Sequence, residues 1–156
     1  MNTKDLILKQ FQACHRTDTW FVSLQTALEG LNRQQAKAKD QSATNSIFEI
    51  AHHLYFYNRI ELQRFKGINN EHNITDNRTT FHNEQELSWD RLVSELLQTM
   101  KEWEAEIEHS NSESIEQFYE NLTYINLHNA YHIGQIVHIR KHHHNWDEKV
   151  GVNYTT

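Results

Sequence analysis

Apolar side chains recur along most of this chain at three- and four-residue intervals, the period of a helix with one buried face. Leu6, Ala13, Trp20, Leu24 and Leu28, with Ile7, Cys14 and Phe21 beside them, predict a first helix over about Thr3 to Leu28. The stretch "EGLNRQQAKAKDQSATNS" then breaks the pattern, and Gly30 can end a helix in a left-handed residue. Ser42 to Ser46 offers several N-caps. A second helix is predicted from Ile47 to Phe65, with Ile47, Ala51, Leu54, Asn58, Leu62 and Phe65 on one stripe. A long polar connection over 67–86 follows. Trp89, Leu92, Val93, Leu96, Leu97, Met100, Trp103 and Ile107 mark a third helix from about Glu84 to His109. Its opposite face, with Glu95, Glu102, Glu104, Glu106 and Glu108, reads as solvated. "SNSESIEQFYEN" reads as a linker, and a fourth helix is predicted from Leu122 to His142. Four amphipathic helices predict an all-α four-helix bundle, one domain over 1–156, with a long crossover connection.

Composition sharpens this picture. The 156 residues include no proline and only four glycines, which favours long uninterrupted helices over a sheet. The net charge is −6, and segment 67–121 carries thirteen acidic residues against three basic ones. Nucleic acid is therefore not an expected partner, because phosphate binding needs a basic face. No run of eighteen apolar residues occurs, so a membrane is not expected either. The lone Cys14 suits a reducing compartment and reads as a small packed side chain. A cytoplasmic location is the expectation.

The candidate chemistry lies in the histidines. On a wheel of roughly 100° per residue, Ile125, His128, His132, Ile136 and Ile139 share one narrow sector of the fourth helix, bordered by Gln135. Imidazoles four residues apart can converge on one ion. Two ligands rarely hold a metal, and "FEIAHHLYFYN" in the second helix supplies His52 and His53, one on each side of the apolar stripe. The wheel alone does not choose between them. Three neutral imidazoles suit zinc, nickel, iron or copper, and three protein ligands leave open positions, as at a catalytic ion. Ion affinity is then expected to fall as pH drops through the ordinary histidine range near 6.5.

"FEIAHHLYFYNRI" and "LTYINLHNAYHIGQIVHIRK" resemble the DinB-like superfamily, also called YfiT-like. In that family a His followed by an apolar residue on the second helix joins an HxxxHxGQ motif on the last. His128, His132, Gly134 and Gln135 fit the motif, with an apolar run and Arg140 after them. The His-Leu pattern selects His53 over His52. One departure is "TNS" where members commonly have Trp-Ser before the second helix. The resemblance implies a bundle with a divalent ion held by His53, His128 and His132, zinc or nickel foremost. It also implies a low-molecular-weight thiol such as bacillithiol as cofactor, and thiol S-transfer to an electrophile or a related metal-dependent reaction. The alternative it leaves open is a non-catalytic metal-binding or stress-response bundle that acts as a binding or dimerisation module, with room for a homodimer.

Other polar residues carry paired expectations. Gly134 is expected to let a neighbouring backbone approach closely. Gln135 either orients a ligand or packs against a helix. Asn58 and Glu61 either support the histidines or, the preferred reading, make a helix–helix hydrogen bond. His142, His143 and His144 point in different directions on a helix end and read as a solvated turn, with metal binding the lesser alternative. His15, His72, His82 and His109 receive no role.

Overall fold

The computed structural model describes residues 2–41, 45–69 and 74–152. Its helices are α1 (Thr3–His15), α2 (Leu24–Leu28), α3 (Arg33–Lys37), α4 (Ile47–Phe65), α5 (Trp89–His109) and α6 (Ser112–His142), with a 3₁₀ turn at Asn77–Phe81. No strand occurs among the described residues. The four long helices are α1, α4, α5 and α6. Helix α1 packs on α5 and α6, and α4 packs on the same two, so each long helix has two neighbours around one core. Among the described residues no helix is long and apolar enough to cross a membrane.

Helices α4 and α5 bury the predicted stripes. Ile47, Ala51, Leu54 and Leu62 of α4 are buried, as are Trp89, Leu92, Leu96, Met100, Trp103 and Ile107 of α5. Ser46 starts α4 with a capping box: its hydroxyl accepts from Glu49 N, and Glu49 Oε2 accepts from Ser46 N at 2.6 Å. Of the other candidate caps, Asn45 stands one residue before the cap, and Ser42 and Thr44 lie outside the described residues.

The first predicted helix is in fact two. Helix α1 stops at His15 and the chain turns before α2. The buried face of α1 is Ile7, Phe11 and Cys14, while Leu6 and Trp20 are exposed, Trp20 by 75 %. The break has a polar cause. His15 Nδ1 meets Glu104 Oε1 at 2.5 Å, and Arg16, at the end of α1, donates to both Glu104 oxygens. Glu104 is thus buried against α1, unlike its neighbours on the solvated face, and His15 acquires a structural role. His72 lies outside the described residues. A buried carboxylate paired with a ring and a guanidinium is satisfied where an isolated one would be costly. Cys14 is a packed side chain as expected, and burial pushes its thiol up to about 12.

The last helix starts ten residues before the predicted position. Asn111 caps α6 by accepting from Ser114 N at 2.8 Å, and Ile115 is buried one turn later. The α4–α6 seam then buries two amides against each other. Asn58 Nδ2 donates to Asn129 Oδ1 at 2.7 Å, and Asn129 Nδ2 returns a bond to Asn58 Oδ1 at 3.0 Å. Asn58 therefore makes the helix–helix bond rather than supporting the histidines. Glu61 pairs with Arg64 and accepts from Asn121 of α6 at 3.2 Å.

Both amides are essentially inaccessible to water. Replacing one alone strands its partner, whereas replacing both by similarly shaped apolar groups can be near neutral. Asn129→Leu should therefore destabilise the fold by about 1–3 kcal/mol. Asn58→Leu/Asn129→Leu should recover part of that loss. Denaturant midpoints of the four proteins in this cycle check it, with additive losses as the contrary result.

Candidate metal centre

Helix α4 carries His53 two turns after its capping box, and α6 carries His128 and His132 one turn apart. Across the seam their rings meet edge to face. Ring centroids lie 4.9 Å apart for His53 and His128, 4.7 Å for His53 and His132, and 4.6 Å for His128 and His132. Each offers a ring nitrogen within 4.8 Å of the other two, an arrangement that could hold a metal ion. His52, the alternative on the wheel, is turned away: its Nδ1 bonds to Thr80 O at 2.8 Å.

Surrounding groups fix which nitrogen faces inward. Thr80 Oγ1 donates its proton to Asn77 O at 2.6 Å, so it must accept from His53 Nδ1–H, 2.6 Å away. Gln135 Oε1 lies 2.7 Å from His132 Nδ1, and its amide nitrogen donates to the Tyr131 hydroxyl at 3.1 Å. His132 Nδ1–H therefore donates to Gln135. This outer hydrogen bonding is the usual way a ligating imidazole is oriented. It leaves Nε2 of both rings free for the shared centre. His53 Nε2 and His128 Nε2 are 2.9 Å apart, while His128 Nδ1 is buried with no partner. Phe81 stacks flat on His53 at 4.0 Å and 7°, which holds that ring from the side.

Burial sets the charge. His53 is lowered to about 3, chiefly by burial and then by the neighbouring charges of His132, His128 and His52. His128 is lowered to about 4 by burial and by His132. His132 is also lowered by burial, with the Gln135 hydrogen bond opposing. All three rings are neutral at neutral pH and present lone pairs, the form a metal requires.

The histidines open onto a cleft of about 530 Å³. Tyr57, Glu61, Asn77, Phe81, Tyr124 and Tyr131 lie along it. The Tyr57 hydroxyl donates to Asn77 Oδ1 at 2.8 Å, and burial with the nearby Glu61 charge raises its pKa, so the phenol stays protonated. The 67–86 connection walls this cleft through Asn77 and Phe81. From the 30–46 connection, Ala38, Asp40 and Asn45 line a different cleft, beyond Tyr131. Gly134 also departs from expectation. A methyl group there would meet no atom within 4 Å, so no backbone approaches it, and it faces open clefts on two sides. Thr80 and Phe81 escaped the sequence reading because they sit in a polar connection with no periodicity. The one available signal was the turn-forming "TDNRTTF", where Asp76 accepts from Arg78 N at 2.9 Å to start the 3₁₀ turn.

Comparison with curated proteins and with solved structures returned no match. The sequence model of the DinB superfamily matches residues 18–144, a span that takes in α2 to α6 and all three histidines. A bundle that converges His53 from α4 on His128 and His132 from α6, in a chain matched over that span, belongs to the DinB superfamily.

Proposed function

We propose that His53, His128 and His132 bind one divalent ion, zinc or nickel foremost, and that the chain is a metal-dependent enzyme of thiol chemistry, a thiol S-transferase or a close relative. The observation that carries this reading is the inward convergence of neutral Nε2 atoms whose Nδ1 protons on His53 and His132 are taken by Thr80 and Gln135. Without a cation, either two lone pairs face each other at 2.9 Å or His128 turns a lone-pair nitrogen into a dry space. When bound, such an ion lowers the pKa of a coordinating thiol or water so that the nucleophile is available at neutral pH. The chain's own residues do the rest. The three imidazoles would hold the ion, Phe81 shields His53, and the cleft beside Tyr57 and Tyr131 would admit a small thiol and an electrophile. No carboxylate belongs to the three-residue group; the carboxylate that lines the same cleft is Glu61.

The ion and the thiol are tested together. Cobalt-loaded protein mixed with bacillithiol, mycothiol, coenzyme A or glutathione should develop a sulfur-to-metal charge-transfer band with at least one of them. The same thiol should react faster with a halogenated aromatic in the presence of the protein. His132→Ala should remove both effects and most of the bound ion. A protein that holds its ion yet gives no band and no rate with any of the four thiols acts instead as a non-catalytic binding module.

The depressed histidines move the acid limit below the ordinary range near 6.5. For the metal-free chain the sign is fixed by linkage. Between pH 6.5 and about 3 the unfolded chain binds protons at these rings that the folded chain does not. Stability from this source is complete above about 6.5 and is lost progressively as pH falls towards 3. Metal-free wild type should therefore lose more of its urea midpoint between pH 7.5 and 5 than His53→Asn/His128→Asn does. Equal losses would show that the two rings are not held neutral by burial.

A further inference from the structure

Three large apolar side chains stand in one exposed row on α6. Tyr124, Leu127 and Tyr131 are 65 %, 63 % and 64 % exposed, while α1, α2 and α4 pack on other sides of this helix. Singly exposed apolar residues are ordinary, but three within about 10 Å along one helix form a patch. The row continues at alternating three- and four-residue steps, through Glu120 before it and Gly134, His138 and Lys141 after it, all exposed. That spacing belongs to a helix face that packs against another helix. Gly134 sharpens the pattern. A glycine inside a helix costs stability relative to alanine. Here it relieves no positive φ, and an added methyl would meet nothing within 4 Å. The chain itself gives no reason for it. A second helix crossing at this point does, because the missing side chain leaves a hole for a large one.

The charges decide which helix fits. The first half of α6 carries Glu113, Glu116 and Glu120 and no lysine or arginine, whereas the second half carries Arg140 and Lys141 and no carboxylate. Arg140 is buried and donates to Ala27 O and Glu29 O. His142 and His143 each meet a different oxygen of Asp40, at 2.7 Å and 3.3 Å, rather than pointing apart into solvent. Lys141 is thus the exposed cation at this end. Two copies of α6 laid in the same direction would set carboxylates against carboxylates. Laid in opposite directions, they set the acidic end of each on the basic end of the other, with their dipoles opposed as well.

We propose that two copies of this chain pair through antiparallel α6 helices across this exposed row, as a twofold homodimer. Tyr124 of each copy then faces Gly134 of the other, Leu127 faces Tyr131, and Lys141 comes within reach of Glu120. Every contact occurs twice, as a twofold axis requires. Trp20, also exposed, lines the groove beside Gly134 and widens the contact from α6 to the 16–23 connection. A stable interface takes roughly 800 Å² from each copy, and three aromatic rings of about 150–250 Å² each, largely exposed, supply about half of that with Leu127. Tyr124 and Tyr131 also line the cleft that leads to His53, His128 and His132, so the second copy forms the outer rim of that cleft. The pairing rests on the outer face of α6 alone and holds with or without an ion at the histidines.

Sedimentation equilibrium of the full, tag-free, metal-free chain tests the proposal. Wild type should form a dimer. Leu127→Glu, at an exposed position, should dissociate it to monomer with unchanged helical circular dichroism. Lys141→Glu and Glu120→Lys should each weaken association by at least about tenfold. The two changes in one chain should recover most of that loss, because they exchange the charges of a single pair. A wild type that stays monomeric at every concentration would assign the face to a different partner and overturn the dimer. A dimer that Leu127→Glu leaves intact overturns the contact face, and single charge variants that the combined one does not rescue overturn the antiparallel pairing.

Discussion

The α4–α6 seam must bring polar groups into a dry interior without leaving them unpaired, and the rest of the structure is arranged around that demand. Asn58 and Asn129 answer it by bonding to each other, to helix backbone and, from Asn129 Nδ2, to the Met100 sulfur at 3.9 Å. That reciprocal pair fixes how α4 and α6 slide and rotate against one another. His53 lies five residues before Asn58, and His128 and His132 flank Asn129, so the register the amides set is the register in which the three rings meet. The rings cannot satisfy themselves in the same way. The outer nitrogens of His53 and His132 are taken by Thr80 and Gln135, that of His128 has no partner, and the inner nitrogens converge. The burial that makes the amide pair necessary also keeps the imidazoles neutral.

What could be read from the sequence follows from how local each cause is. The stripes of α4 and α5, and the His128–His132 pair, are encoded within single helices and stand in the periodicity. The start of α6 is also local, but its first turns bury little besides Ile115 and are otherwise polar, so "SNSESIEQFYEN" resembles a linker. The end of α1 is not local. Trp20 continues an apolar stripe on paper, yet the chain leaves the helix where His15 and Arg16 meet Glu104, some ninety residues away. The choice of His53 over His52 likewise rests on Thr80, which takes one ring by its hydroxyl and the other by its carbonyl. No wheel contains that information. The family pattern did contain it, because it records the outcome of such contacts.

The connections are thus more than spacers. The 66–88 segment carries Thr80 and Phe81 to one side of the histidines, and the connection after α3 carries Asp40 to the end of α6. Tyr131 stands between the two clefts, exposed to solvent and bonded to the amide that orients His132. One long helix brings His128 and His132 to the seam with α4, and the connections decide what its side chains meet at either end.

The central claim is that three imidazoles, and no carboxylate or thiolate of the chain, hold an ion between α4 and α6. X-ray absorption at the zinc edge of the tag-free protein loaded with one equivalent of zinc tests it most directly. The account predicts a first shell of nitrogen and oxygen at about 2.0–2.1 Å with the outer-shell scattering of three imidazole rings. Scattering from one ring or none, or a sulfur neighbour at about 2.3 Å in the absence of added thiol, would contradict it.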